Sequence, residues 1–166
     1  MHRFDTLFLD RDGVINKKLD GYVCDFESFK FMPDALKAIS KLSKIFKRIF
    51  IVTNQQCIGK KILTPDKLSD IHNQMLSEII NHSGVITKIY YCPHLIIESC
   101  NCRKPKAGMI QQALLDFPEI NIENSYLIGD SDSDIEAGNS MNLSTVKVDN
   151  KYTLASWTRS LSNINS

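Results

Sequence analysis

Asp10-Arg11-Asp12-Gly13 puts two carboxylates two positions apart, directly behind the apolar run Thr6-Leu7-Phe8-Leu9. In an extended chain such positions point the same way, so Asp10 and Asp12 share a site while Arg11 turns aside. Carboxylates that close raise each other's proton affinity unless a cation intervenes. With Mg²⁺ present, Asp10 stays ionised as a nucleophile, and Asp12 serves as general acid and then base for a leaving group and water. A second acidic stretch, Gly129-Asp130-Ser131-Asp132-Ser133-Asp134, follows the apolar run Tyr126-Leu127-Ile128. Its oxygen donors suit a hard cation. Asp130 reads as a metal ligand beside Asp10 and Asp12, Asp134 as its support, and Asp132 as a helix-capping residue. Thr53-Asn54-Gln55 offers a hydroxyl and backbone N–H groups to phosphate oxygens, and Lys104 offers a compact positive charge.

A third cluster has a different chemistry. Cys92, His94, Cys100 and Cys102 bring three thiols and an imidazole together within eleven residues, a full tetrahedral donor set for structural Zn²⁺. The loop that carries them runs straight into Arg103 and Lys104, so a closed metal site there would stiffen phosphate-binding residues without joining the reaction. Cys24 and Cys57 read as packing residues. His72 and His82 read as ordinary residues of a helix and its end, and His2 as a frayed terminus.

These residues need a frame. Short apolar runs at Thr6–Leu9, Arg48–Val52, Val85–Tyr91, Ser125–Ile128 and Thr145–Val148 read as buried strands. Between them, helical spacing covers Asp34–Lys44, Pro65–His82, Lys106–Asp116 and Asp132–Ser140, with Thr64-Pro65 as a start signal. Alternating strands and helices imply a parallel sheet with right-handed crossovers. In such sheets chemistry gathers at the carboxyl ends of the strands, which here read Asp10, Thr53, Cys92 and Asp130. The tail 151–166 is weakly patterned and reads as a last strand, a short helix or a frayed end.

Four motifs in this order, Asp10-Arg11-Asp12-Gly13-Val14-Ile15-Asn16, Val52-Thr53-Asn54-Gln55, Lys104 and Gly129-Asp130-x-x-x-Asp134, resemble the haloacid dehalogenase (HAD) superfamily of aspartate-based phosphatases. Gly21-Tyr22-Val23, Tyr91-Cys92-Pro93-His94, Cys100-x-Cys102-Arg103-Lys104-Pro105 and Gly108-Met109 narrow the resemblance to the subgroup of heptose bisphosphate 7-phosphatases and histidinol-phosphate phosphatases. The resemblance spans roughly residues 5 to 148.

It implies a three-layer α/β Rossmann-like domain over 1–166 and hydrolysis of a phosphate monoester through an aspartyl-phosphate on Asp10. It further implies Mg²⁺ held by Asp10, the Asp12 backbone carbonyl and Asp130, with Thr53, Asn54 and Lys104 on the phosphate. The implied substrate is D-glycero-D-manno-heptose 1,7-bisphosphate, within heptose or lipopolysaccharide-precursor synthesis. Histidinol phosphate and a polynucleotide 3′-phosphate are the rival substrates, and a zinc-stapled binding domain is the non-enzyme rival. About 30 residues lie between Asn16 and the second strand, too few for a cap domain. The site is therefore expected to be open, with recognition left to Asp20, Gly21, Tyr22, Gln55, Gln56, Arg103 and Ser131. Ser131 stands where heptose phosphatases often carry a lysine.

Composition narrows the partners. The 166 residues carry 20 Lys and Arg against 19 Asp and Glu, a net charge of +1, which gives no support to a nucleic-acid binder. Five cysteines without a secretion signal argue against a disulfide framework. No apolar run approaches the ~20 residues of a membrane helix. The expectation is a cytoplasmic monomer acting on a small phosphorylated metabolite.

Overall fold

A computed structural model describes residues 1–162. Among them, five strands form one parallel sheet: β1 (Phe4–Leu9), β2 (Phe46–Asn54), β3 (Lys88–Cys92), β4 (Tyr126–Gly129) and β5 (Ser144–Lys147). Five helices join and flank them: α1 (Ala35–Ile45), α2 (Pro65–Asn81), α3 (Gly108–Asp116), α4 (Asp132–Ser140) and α5 (Leu154–Ser162). The sheet order is β3-β2-β1-β4-β5. The chain steps outward from β1 to β2 and β3, then returns to the other side of β1 for β4 and β5. The crevice at the point where the strand order reverses therefore opens between the ends of β1 and β4, beside Asp10 and Asp130.

The central strands are apolar on both faces because helices cover both, as parallel sheets require. Along β1, Leu7 and Leu9 belong to the core beneath α1, α2 and α5, where they meet Ile39, Leu42, Ile71 and Trp157. Phe8, one residue out of phase, belongs to the opposite core beneath α3 and α4, with Phe50, Ile110, Ala113 and Ala137. This two-residue alternation sets Asp10 at the strand's carboxyl end, where Asp10 N–H still donates to the Ile128 carbonyl at 3.0 Å.

α2 starts where Thr64-Pro65 places it: the Thr64 hydroxyl accepts from Lys67 N–H at 3.2 Å, and proline occupies the first turn. Most element boundaries shift by one to three residues from the sequence expectation, and two of the starts show why. β3 begins at Lys88 rather than Val85, because Val85 N–H donates to the Ser43 hydroxyl of α1 and Thr87 makes the entry into the ladder through Ile49. α3 begins at Gly108 rather than Lys106, because Gly108 N–H closes a turn on the Asn101 carbonyl. In the tail, residues 154–162 form α5, which packs Trp157 against the Phe46 and Tyr126 rings. Residues 163–166 of the expected tail lie outside the described residues. No helix among the described residues is long and apolar enough to cross a membrane.

Candidate active site

Four chain segments meet above the β1–β4 crevice: the turn after β1, the end of β2, the loop before α3, and the turn between β4 and α4. Their meeting point is the buried ammonium of Lys104. It donates to Asp10 Oδ1 at 2.9 Å and to the Val52 carbonyl at 2.8 Å, and it pairs with Asp134 Oδ1 at 2.5 Å. All three donors of the ammonium are therefore engaged. Lys104 is held in place by Asn54, whose side chain accepts from Lys104 N–H at 3.0 Å and donates to the Lys104 carbonyl at 3.2 Å. The Asn54 side chain is thus committed to the backbone of Lys104, while the residue lines the cleft described below.

The two carboxylates beside Lys104 respond to it unequally. Burial pushes Asp10 up to about 7, further than the attraction of Lys104 pulls it down. Asp134 moves the other way: burial opposes its charge, but the Lys104 ion pair and the Ser131 hydrogen bonds hold its carboxyl below the ordinary range. Lys104, between two anions, is pushed above its usual value despite burial. Asp134 Oδ2 accepts from Asp130 N–H, Ser131 N–H and the Ser131 hydroxyl at 3.1, 3.1 and 2.8 Å. It ties the loop down with Ser131, which is also the N-cap of α4.

Carboxylate oxygens of Asp10, Asp130 and Asp134 lie within 4.8 Å of one another. Asp134 has both oxygens occupied, so Asp10 and Asp130 are the carboxylates with capacity for a cation. Glycine makes this packing possible at two points. A Cβ on Gly13, whose φ is +86°, would meet Asp130 Oδ2 at 2.2 Å, and one on Gly129 would meet the Asp134 Cβ at 2.1 Å.

Asp12 shares the cleft, but Arg11 does not turn aside as the strand argument expected. β1 ends at Leu9, so the alternation lapses before Arg11. The Arg11 side chain is only 1% exposed and folds back onto its neighbour. Its Nε and Nη2 donate to Asp12 Oδ1 at 3.3 and 2.9 Å, and Asn16 Nδ2 donates to the same oxygen at 2.8 Å. Gln55 Nε2 bridges Asp12 Oδ2 at 3.1 Å and the Thr53 hydroxyl at 2.9 Å. Burial would raise Asp12; the Arg11 cation and these hydrogen bonds outweigh it and hold the carboxyl below its usual range.

Asp10, Arg11, Asp12, Asn54, Gln55, Lys104, Asp130 and Asp134 line a cleft of about 260 Å³ together with Gly21, Tyr22, Gln56, Arg103 and Ser131, with Thr53 and Asn16 behind them. Arg103 Nη1 is buried there without a hydrogen-bond partner among the described residues. Asp20, expected among the recognition residues, is a correction: it is exposed and does not line the cleft. Its neighbours Lys18 and Leu19 do, and Lys18 Nζ lies 3.4 Å from Asp130 Oδ2. Lys18, Ser133, Arg11 and His72 carried no signal in the sequence. A lysine in a polar turn reads as solvated, and the partner of a buried arginine lies sixty-one positions away.

The cysteine cluster sits beside the cleft at the end of β3. Cys92 Sγ lies 3.0 Å from Cys102 Sγ and 3.5 Å from Cys100 Sγ, and His94 Nδ1 lies 3.1 Å from Cys102 Sγ and 3.5 Å from Cys92 Sγ. A tetrahedron with metal–sulfur bonds of ~2.3 Å has edges of roughly 3.8 Å, so the donors are already gathered at close to that scale. Burial pushes the Cys92 thiol up. At Cys100 burial is overcome by backbone and thiol hydrogen bonds, led by Arg103 N–H, which bring it down to about 6.

The chain resembles known proteins over most of its length. The HAD-hydrolase-like family model matches residues 101–163. The D-glycero-beta-D-manno-heptose-1,7-bisphosphate 7-phosphatase of Pseudomonas putida is 37% identical over 131 residues, 79% of this chain and 74% of that protein. The D-glycero-alpha-D-manno-heptose-1,7-bisphosphate 7-phosphatase of Campylobacter jejuni is 39% identical over 143 residues, 85% of this chain and 80% of that protein. A probable D-glycero-D-manno-heptose-1,7-bisphosphate 7-phosphatase of Thermoplasma volcanium is 40% identical over 126 residues, 75% of this chain and 84% of that protein. The crystal structure of D,D-heptose 1.7-bisphosphate phosphatase from B. bronchiseptica, complexed with magnesium and phosphate, superposes with a TM-score of 0.90. It covers 96% of this chain and 99% of that one at 24% identity, a likeness of fold.

Proposed function

This chain belongs to the HAD-like phosphatase family and is a phosphate-ester hydrolase; on that premise we propose that it removes the 7-phosphate of D-glycero-D-manno-heptose 1,7-bisphosphate through an aspartyl-phosphate on Asp10. The observation that carries the chemistry is the meeting of Asp10, Lys104 and Asp130 at the crevice between β1 and β4. The names of the relatives at 37–40% identity carry the substrate.

Asp10, Asp130 and the Asp12 backbone carbonyl would hold Mg²⁺, which when bound supplies charge neutralisation for the phosphoryl oxygens. The hard oxygen donors fit that ion, and the neighbouring B. bronchiseptica structure was solved with magnesium. An oxygen of Asp10 attacks phosphorus in line, and the bond to the sugar oxygen breaks. Asp12 gives that oxygen its proton, which its carboxyl must first take up against the pull of the Arg11 cation. Water then attacks the aspartyl-phosphate while Asp12 takes its proton back, and phosphate leaves. Lys104 keeps Asp10 oriented and offsets the charge of Asp10 and Asp134. Thr53 orients Gln55 against Asp12. Arg103, with a free buried N–H, and the cation of Lys18 suit a substrate that carries a second anionic group.

Cys92, His94, Cys100 and Cys102 would hold Zn²⁺, a fit of soft donors to a borderline-soft ion with no position left for a reactant. The single domain, the cytoplasm and a monomeric state complete the reading.

The test compares kcat/KM for both anomers of the heptose bisphosphate, histidinol phosphate and a 3′-phosphorylated oligonucleotide. The reading expects one heptose bisphosphate anomer to exceed the other substrates by at least tenfold. A preference for histidinol phosphate or the oligonucleotide overturns the substrate while leaving the phosphatase chemistry standing.

A further inference from the structure

His72 is the one buried histidine among the described residues, and nothing in the reaction uses it directly. It comes from the middle of α2, a helix that otherwise covers the sheet. Its Nε2 lies 3.1 Å from Arg11 Nη1. An arginine is always protonated and can only donate, so the ring must be neutral, with Nε2 accepting and the proton on Nδ1. Burial, aided by the Arg11 charge, holds His72 down to about 4, in agreement with that tautomer. The guanidinium is fixed on its other sides as well. Its Nε and Nη2 grip Asp12 Oδ1, and its Cζ lies 5.8 Å from the centre of the Phe29 ring.

The consequence falls on the two oxygens of Asp12. Oδ1 accepts three hydrogen bonds, two from Arg11 and one from Asn16. Oδ2 accepts one, from Gln55. A carboxylate oxygen with two lone pairs and three donors has no room for a further proton, whereas Oδ2 has. We propose that His72 is a positioning residue: by locking Arg11 it saturates Asp12 Oδ1 and reserves Asp12 Oδ2 as the oxygen that carries the proton to the leaving group. Without the acceptor on His72, Nη1 loses a buried partner and the guanidinium is free to swing, so Asp12 rotates away from its productive angle. Displacement of a reacting group by an ångström is enough to cost a large factor in rate.

The inference rests on the role of Asp12 as general acid, and the experiment separates the two. For kcat/KM, which reports the steps up to cleavage of the ester, an alkyl sugar phosphate needs its leaving oxygen protonated. p-Nitrophenyl phosphate, with its good leaving group, does not. Asp12→Asn is the control and should depress the sugar phosphate at least tenfold more than the aryl ester. His72→Leu keeps the volume but removes the acceptor. It should lower kcat/KM for the sugar phosphate about tenfold, mainly through kcat, and leave the aryl ester within twofold. His72→Gln restores a side-chain carbonyl for Arg11 and should recover at least half of the wild-type value on the sugar phosphate.

Thermal melts of each variant report folding, and if His72→Leu does not fold, His72→Gln still decides. A loss on both esters in equal measure, no loss on either, or a His72→Gln variant as impaired on the sugar phosphate as Asp12→Asn overturns the proposal. If Asp12→Asn itself fails to separate the two esters, the role of Asp12 falls and the role of His72 with it. If Asp12→Asn separates them and His72→Leu does not, only the role of His72 falls.

Discussion

The two clusters of ligand-type residues are built in opposite ways. Cys92, His94, Cys100 and Cys102 lie within eleven residues, running from the last residue of β3 into the loop that follows, and their donors converge through local chain proximity. Asp10, Asp130, Asp134 and Lys104 come from widely separated stretches of chain and meet only because β1 and β4 are neighbours. One is assembled by covalent proximity and soft donors, the other by topology and hard donors. The carboxylate cluster cannot move without the sheet, and it is the one to which the proposed reaction is assigned.

The largest effect should come from breaking the second cluster at its centre. Asp10→Asn keeps the shape of the side chain and removes the attacking charge. We expect kcat to fall on the order of 10⁴-fold, about 5 kcal/mol of barrier, with an unchanged far-UV spectrum. Residual turnover above about a tenth of wild type, with contaminating phosphatase excluded by a blank preparation, would take the nucleophile role from Asp10.

Breaking the loop cluster should read differently. Elemental analysis of protein purified without chelators should find one zinc per chain, and Cys100→Ser should lose it. Stability should fall by about 4 kcal/mol, on the order of 10 °C in melting temperature. KM should rise more than kcat falls, because Arg103 and Lys104 lose their anchor. Brief EDTA treatment should remove Mg²⁺ alone, and added Mg²⁺ should restore activity. A wild-type protein with no zinc and five thiols reactive in the native state would remove the metal from the loop.

The difference between the clusters also explains what could be read in the sequence. Cys92 to Cys102 were legible as a donor set because spacing alone brings them together. The five strands and the four helices of the alternating pattern were legible because continuous apolar runs and three-four spacing mark elements buried in a parallel sheet. Asp10, Lys104 and Asp130 were visible only as separate bland motifs until their order resembled a family. Arg11 could not be placed: strand alternation predicts that it points away from Asp12, and the chain leaves the strand one residue too early for that rule. His72 sits where an amphipathic helix places a core residue, and only the arrival of Arg11 from the turn after β1 gives it a partner. Asn54 and Thr53 read as phosphate ligands from their place at the end of β2, but that the Asn54 side chain also grips the Lys104 backbone and the Thr53 hydroxyl accepts from Gln55 depends on contacts no local pattern shows.

His72 packs between Arg11 and the exposed face of β3. Its ring contacts Arg11 on one side and lies 6.5 Å from the Tyr91 ring on the other, and Tyr91 precedes Cys92. Because it is buried neutral with its titration near 4, it should leave a mark on stability. The unfolded chain takes up the proton below about 6.5, while the folded protein takes it up only near 4. Between those values the unfolded state binds more protons, so the contribution destabilises the fold progressively as pH drops through that window. Its ceiling is about 3 kcal/mol. Urea unfolding of wild type and His72→Gln from pH 7.5 to 4 should show wild type losing stability more steeply. Parallel curves would mean that His72 is free to take up its proton in the folded state.

The smallest effect tests the rim of the carboxylate cluster, where the sequence window pointed to Asp20 and the structure places Lys18 and Leu19. Asp20 is exposed and away from the cleft, so Asp20→Ala should change kcat/KM by less than twofold. Lys18→Ala should raise KM about two- to threefold, since Lys18 is a largely exposed cation near Asp130 and such pairs contribute under ~1 kcal/mol in water. Screening gives the two changes different signatures. The Lys18 effect should shrink as ionic strength rises and the Debye length falls to ~3 Å at 1 M salt. The Asp20 variant should track wild type at every salt concentration. If Asp20→Ala instead lowers kcat/KM more than tenfold, the turn after Asn16 closes over the substrate, and recognition reaches beyond the cleft that the free protein presents.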